Sequence, residues 1–354
     1  MNVFTGTLSY TETSSLSSLT PVEELLVFDI ETTGFTPEHT ILYLICCAYY
    51  QNGVWHYRQW FNEDGSQEQE LLQAFLTFAK PFRSLFHYNG DRFDIPYLQH
   101  KIQSYGLSDL LSQKESYDLY PILRPYKEAL HLDNLKQKTI ERFLIIDRVD
   151  KYSGGDLIQV YHRYIQSKDA KLLQLLLQHN FEDVEGLLQI SQMLNYRCLF
   201  QGEYTIKDAT IEESQLKIHI ILSLPLPKRF TLGKNSVLLT AYQQEATLAV
   251  PIIFDELRFY LKDYKNYYYL PLEDKAIHKS VASFVDRNYR EKATRHNCYV
   301  KRKGQFIFEC GDALLPGFKH SLEETLSYIE LTEELPSDIA FLHKYTKHII
   351  ESFL

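Results

Sequence analysis

No stretch of this 354-residue chain approaches the ~18 uninterrupted apolar residues that a membrane-spanning helix needs. The N-terminus lacks a basic segment followed by an apolar one, so no secretory signal is expected. Cysteine is scarce. The five present form no disulfide framework, and Cys46 and Cys47 are adjacent inside an apolar run, where reduced core thiols belong. A soluble, cytoplasmic protein without a membrane partner is the resulting expectation. A basic excess is also missing, since 37 Lys and Arg face 46 Asp and Glu, for a net charge of −9. Phosphate binding usually leaves a basic footprint, so the overall balance speaks at first against nucleic acid. The LGKNS segment near Gly233 lacks the upstream glycine of a phosphate loop, so no nucleotide-driven motor is visible.

What the chain does have is an ordinary globular composition, 45% hydrophobic, and a length that suits two domains. Residues 1–22 are rich in Ser and Thr and poor in apolar periodicity, which predicts a loosely ordered lead. From Leu25 the texture changes. LLVFDI reads as a buried strand ending at Asp29, Ile41–Tyr50 as a second, and Val54–Phe61 as a third. Asn52-Gly53 between the last two supplies a two-residue hairpin turn. A helical pattern follows over Gln67–Lys80, then a short strand at Ser84–Tyr88, a helix ending at Gly106, and a further strand around Asp118. Helices are expected at about 133–143, 155–166 and 169–195. Strands first, then strand–helix alternation, predict an α/β domain over 23–198 with a mixed sheet flanked by helices. Residues 199–354 read as a separate C-terminal α+β region, with hairpin strands broken by proline and Gly-Lys-Asn turns.

Three motifs place carboxylates in the first domain. In VFDIETTGF, Asp29 and Glu31 lie two apart at a strand end, so both project from one face. Side-by-side carboxylates repel unless a cation neutralises them, which is how a Mg²⁺ or Mn²⁺ site starts. In HYNGDRFDIPYL, Asp94 sits at the entry to a helix, where it could equally serve as an N-cap. Asp91 is the rival carboxylate, and Asn89-Gly90 could be a plain turn. In HNFEDVEGLL, His179 and Asp183 are four apart and share one helix face. Such a histidine could take a proton from water activated by a metal. The alternatives are a buried histidine on a Leu-rich helix, or a helix break capped by Asn180. Gly186 beside this face would let another element pack closely.

In this order the motifs resemble the DEDD superfamily of 3′–5′ exonucleases, which are built on a ribonuclease H-like fold. Within that group the chain looks most like the YprB-type ribonuclease H-like proteins. The resemblance spans about residues 23–196 and includes DLYPIL from Asp118, NLKQKTIERFL from Asn134 and SGGDLIQVYHRY from Ser153. It implies that Asp29, Glu31, Asp94 and Asp183 hold two Mg²⁺ or Mn²⁺ ions, with His179 as general base or water-orienting residue. The implied reaction is phosphodiester hydrolysis at a single-stranded 3′ end, DNA rather than RNA, of a kind DNA repair would use. An RNA exonuclease, a structure-specific endonuclease or an inactive nucleic-acid-binding module are the alternatives. One departure is visible: the histidine subgroup usually places four residues between His and Asp, and here there are three. The second motif also looks like the editing domain of family B DNA polymerases, but the rest of the chain is too short for a polymerase.

In the C-terminal region the run from Lys279 to Lys303 holds Lys279, Arg287, Arg290, Lys292, Arg295, Lys301, Arg302 and Lys303 against Asp286 and Glu291. Tyr260, Tyr264 and Tyr267 to Tyr269 lie just upstream. Cations beside aromatic rings suit a single-strand groove, and with Asn89 they form the candidate nucleic-acid contacts. The other reading is a solvated face with tyrosines packing the strands. A duplex substrate would require a separate helicase as partner to expose the end.

Overall fold

The computed structural model describes residues 1–152, 154–310, 314 and 317–354. The chain divides into two compact units, Met1–Arg197 with Leu226–Lys228, and Cys198–Pro225 with Arg229–Leu354. No helix among the described residues is long and apolar enough to cross a membrane.

The first unit is built on six strands: β1 (Asn2–Thr7), β2 (Leu25–Thr32), β3 (Leu42–Gln51), β4 (Val54–Phe61), β5 (Ser84–His87) and β6 (Glu115–Asp118). Their order across the sheet is β1-β4-β3-β2-β5-β6. The β1 to β4 to β3 to β2 pairings are antiparallel and those of β5 with β2 and β6 are parallel. The sheet is therefore mixed. Asn52 and Gly53, at φ +53° and +82°, supply the two left-handed residues that a tight β3–β4 hairpin demands.

The helices of this unit are α1 (Ser14–Ser17), α2 (Glu68–Ala79), α3 (Asp94–Ser104), α4 (Leu119–Leu123), α5 (Gln137–Phe143), α6 (Gly154–Ser167), α7 (Ala170–Ile190) and the start of α8 (Leu194–Gln201). They cover both faces of the sheet. On one, Leu71, Phe75 and Leu76 of α2 and Leu98 and Ile102 of α3 pack with Leu26, Phe28 and Ile30 of β2. On the other, Leu157 and Tyr161 of α6 and Leu176 of α7 pack with Tyr43, Leu44 and Phe61. Alternation along β2 does the rest: with its even-numbered residues committed to the first core, Asp29 and Glu31 must project from the opposite face, toward α7.

The N-terminal segment departs from the expected loose lead. Asn2–Thr7 pairs residue by residue with β4, from Asn2↔Phe61 to Thr7↔His56, and forms an edge of the sheet. Its exposure alternates strictly. An edge strand buries one half of one face, so NVFTGT carries little apolar signal, and its partner lies 49 to 59 positions away. Leu16 and Val22 are buried as well.

The second unit contains a five-stranded sheet in the order β14-β13-β9-β8-β7 and a three-stranded sheet β11-β10-β12. The first is formed by β7 (Tyr204–Glu212), β8 (Gln215–Lys234), β9 (Val237–Tyr260), β13 (Tyr299–Glu309) and β14 (Ser327–Glu330). The second comprises β10 (Tyr267–Leu270), β11 (Lys275–His278) and β12 (Glu291–Lys292). Helices α9 (Lys279–Ala282) and α10 (Ile339–Glu351) complete it. The expected proline breaks do not occur, because β8 runs unbroken through Pro225 and Pro227. Both lie beyond the β7 register, which ends at Tyr204↔Leu222, where a proline removes no donor from the β7 ladder.

Candidate metal centre

Four carboxylates from three elements converge at the end of β2. Asp29 and Glu31 come from the strand, Asp183 from α7, and Asp94 from the first turn of α3. Asp94 is buried and accepts a hydrogen bond from the Ile30 amide at 3.3 Å. Its carboxylate makes no helix cap, so the N-cap alternative does not describe it. Asp91, half exposed and accepting from Ser116 at 2.6 Å, points away from this cluster. Helix α7 starts from an Asp169 cap and continues unbroken through Asn180, so the alternative of a break there also falls. The Asn180 amide instead donates to Asp29 at 2.8 Å.

His179 occupies the centre. Its Nε2 lies 3.1 Å from Asp183 and 3.5 Å from Glu31, while Nδ1 lies 2.5 Å from Asp150. The three-residue spacing thus brings the His179 and Asp183 side chains together one helical turn apart, as the i, i+4 geometry requires. Arg148 closes the other side: its guanidinium is 2.5 Å from Asp183, 3.2 Å from Glu141 and 3.7 Å from Glu182. Glu141 on α5 reaches this position because α7 carries Gly186 there; a Cβ at Gly186 would come within 2.4 Å of the Glu141 carboxylate. Gln137 donates to the Asp183 carbonyl at 2.8 Å and ties α5 to α7.

The electrostatics follow from burial of like charges. Desolvation, then the charges of Asp183, Asp94 and Glu31, hold the Asp29 carboxyl well above the usual range. Desolvation also pushes Glu31 up to about 8, against the pull of His179. Asp94 is raised to about 7, again chiefly by burial. For Asp183 burial raises the value, but His179 and Arg148 outweigh it and leave the carboxyl below the ordinary value. Burial lowers His179, yet Asp183, Glu31 and Asp150 together lift it to about 9. Two side-chain cations thus serve one side of the cluster, while Asp29, Glu31 and Asp94 are left short of positive charge. That deficit is what a divalent cation would fill. Ligand atoms of Glu31, His179 and Asp183 all lie within 4.8 Å of one another. The donor set is mostly carboxylate oxygen, which suits Mg²⁺ or Mn²⁺.

A second acidic group, His87, Asp91 and Asp118, has a different task. Asp118 is buried and its carboxylate accepts from the amides of Asn89 at 2.7 Å, Asp91 at 3.2 Å and Tyr120 at 3.0 Å. Asn89 sits at φ +58°, and a Cβ on Gly90 would come within 2.5 Å of His87 Nδ1. The turn from β5 to α3, which delivers Asp94, is therefore folded around Asp118. Asp118→Ala is expected to strand three amides and cost about 3 kcal/mol. It should also weaken divalent-cation affinity through Asp94; calorimetric titration with unchanged affinity would refute that coupling.

Four residues of the basic run of the second unit engage local partners, and Lys292 lies exposed on β12. Lys301 contacts Asp274 and lies 3.4 Å from Glu256, Arg302 lies 3.4 Å from Glu330, and Lys303 lies over the Phe254 ring. Arg290 stacks on Tyr268 at 4.9 Å and contacts the Ala282 carbonyl. Lys279 opens α9 and Arg287 opens a 3₁₀ turn. Arg295, with Lys262 and Lys319, lines a cavity of about 810 Å³. Tyr264, Tyr267 and Tyr269 pack on Ala276, Ala293 and Cys298, so these tyrosines serve the strands.

Arg148, Asp150, Glu141 and Asn180 were not candidates from the sequence. Arg148 and Asp150 lie in a segment without periodicity, and Asn180 sits inside the third motif, where its neighbours carry the visible pattern.

No curated protein matches the chain. Among solved structures, the chain is similar to a family B DNA polymerase from the hyperthermophilic archaeon Pyrobaculum calidifontis, with 15% identity and a TM-score of 0.38. That match covers 68% of this chain and 35% of the polymerase, so the chain spans about a third of its length. It is also similar to a structure titled as the apo form of a nuclease, with 14% identity and a TM-score of 0.33 over 50% of this chain and 75% of that one. Residues 26–195 match the family RNase_H_2, of the RNase_H superfamily, and the mixed six-stranded sheet with flanking helices that carries the four carboxylates has the ribonuclease H-like α/β fold.

Proposed function

We propose that this protein is a metal-dependent nuclease, a 3′–5′ exonuclease acting on single-stranded ends, DNA in preference to RNA. The observation that carries the reading is that Glu31, His179 and Asp183 present ligand atoms within 4.8 Å of one another, with Asp29 and Asp94 near enough to raise the pKa of the Glu31 carboxyl or be raised with it. The match of residues 26–195 to the RNase_H_2 family supports it. The exonuclease polarity rests on the resemblance of the three motifs to the DEDD superfamily of 3′–5′ exonucleases.

In this mechanism Asp29, Glu31, Asp94 and Asp183 would hold two divalent cations. When bound, such ions acidify an attacking water and offset charge on the attacking and leaving oxygens of the phosphate. Asn180 fixes the rotamer of Asp29, and the Ile30 amide fixes Asp94. His179 Nε2 faces the carboxylate pocket, and with cations on Glu31 and Asp183 it would be placed to accept the proton of the water. Tyr43, stacked on Tyr161, directs its hydroxyl to Glu31 at 3.4 Å and walls the pocket on the β3 side.

The test is digestion of 3′-labelled, 5′-labelled and circular single-stranded DNA, and of RNA, with Mg²⁺ or Mn²⁺. Mononucleotide release from the 3′ end with the circle spared is the expected result. Cleavage of the circle would make the protein an endonuclease. RNA degraded faster than DNA would reverse the substrate preference. Asp183→Ala protein as active as the wild type would remove the metal centre from the mechanism.

A further inference from the structure

The segment between α5 and α6 returns to the metal centre with two side chains. Arg148 is held by Glu141, Glu182 and Asp183. Two residues on, the Asp150 amide donates to Glu182 at 2.9 Å. These contacts staple the segment to successive positions of α7 and leave Asp150 little freedom. Its carboxylate accepts from the Tyr152 amide through Oδ1 at 3.1 Å and meets His179 Nδ1 through Oδ2 at 2.5 Å. Both side chains of the His–Asp pair are 4% exposed. Lys138, at 3.6 Å, is the other charged group against Asp150.

A ring nitrogen facing a carboxylate holds its proton on that side, so the Asp150 contact keeps Nδ1–H turned away from the pocket and leaves Nε2 directed at Glu31 and Asp183. Cations on those two carboxylates would relieve Nε2 of its own carboxylate contacts. We infer that Asp150 is a positioning residue, which engages Nδ1 of His179 and fixes the orientation of its ring so that Nε2 faces the carboxylate pocket. This rests on the proposed nuclease function for its catalytic consequence, but the ring geometry stands apart from it. A carboxamide in place of the Asp150 carboxylate would fit the same space, yet it cannot stabilise the Nδ1–H partner as a carboxylate does. In the Ser-His-Asp enzymes, the corresponding carboxamide preserves geometry and loses the tautomer.

The experiment uses the full chain with ¹⁵N-labelled histidine, as wild type, Asp150→Asn, His179→Ala and the double variant. In the Mg²⁺-loaded wild type, the His179 ring signal should show Nδ1 protonated and protected from exchange, and Asp150→Asn should abolish that protection. Steady-state digestion of single-stranded DNA should show kcat reduced about 10²-fold by Asp150→Asn, with KM and thermal midpoint little changed. Asp150→Asn should have no further effect once His179→Ala is present. A wild-type ring bare at Nδ1, or equal losses from Asp150→Asn in both backgrounds, would overturn the assignment. If the wild type cleaves no nucleic acid the proposed function fails, and the ring signal alone decides the role of Asp150.

Discussion

Asp29→Asn is expected to eliminate nuclease activity, by at least about 10³-fold in kcat, while making the metal-free protein more stable. The two effects share one cause. Asp29 is surrounded by Asp183, Asp94 and Glu31 with its own desolvation uncompensated, so its carboxyl lies far above the usual range. In the unfolded chain the same carboxyl ionises near 4. At pH 8 the folded state therefore pays to keep a group neutral, or charged among like charges, that water would ionise freely. An asparagine has nearly the same shape and can keep the hydrogen bond from Asn180, but it has no charge to bury. The thermal midpoint of the metal-free variant should rise by a few degrees. Divalent cation should raise the midpoint of the wild type and leave the variant nearly unmoved. Calorimetric scans with and without Mg²⁺ check both halves, and a variant less stable than the metal-free wild type would contradict the electrostatic account.

The second large effect is a pH dependence that metal should cancel. Asp94 is raised to about 7 and Glu31 to about 8, and Asp29 is held well above the usual range. Between about pH 4, where these groups ionise in the unfolded chain, and those values, the folded state binds more protons. Stability must then fall as pH rises through the window. His179 adds to the same trend: lifted to about 9, its stabilisation is complete below about 6.5 and is lost as pH rises through about 9. Asp183 and Asp150, both held low, act the other way. Their stabilisation is present above the ordinary carboxylate value and disappears as pH falls through their lowered values. The metal-free protein should therefore be most stable near pH 5 and lose on the order of 3 kcal/mol by pH 9. With saturating Mg²⁺ or Mn²⁺ the carboxylates are neutralised by the ion, and the decline should largely vanish. Denaturant melts from pH 5 to 9 decide it; a metal-free curve flat with pH, or one equally steep with metal, would show that the cluster does not behave as an uncompensated cation site.

The net charge of −9 takes on a different meaning beside this geometry. Four of the carboxylates lie close enough for like charge to push pKa values up among them, and bound divalent cations would neutralise them. A chain-wide charge count averages over such a cluster and is silent about it.

What the sequence determined by itself was local. Period-two alternation placed Asp29 and Glu31 on one face of β2, the four-residue step placed His179 beside Asp183, and Asn-Gly placed the β3–β4 hairpin. Each is a statement about neighbours within one element, where backbone geometry alone decides which side chains meet. The edge strand β1 was invisible because its partner, β4, is remote and half of its surface faces solvent. Tertiary structure alone decided that Asp94 lies against Ile30 instead of capping its helix, that Asn180 holds Asp29, and that Arg148 and Asp150 return to α7 across about thirty residues. Those contacts join elements whose order in space is set by how the sheet buries its two faces, and no periodicity along the chain encodes that distance.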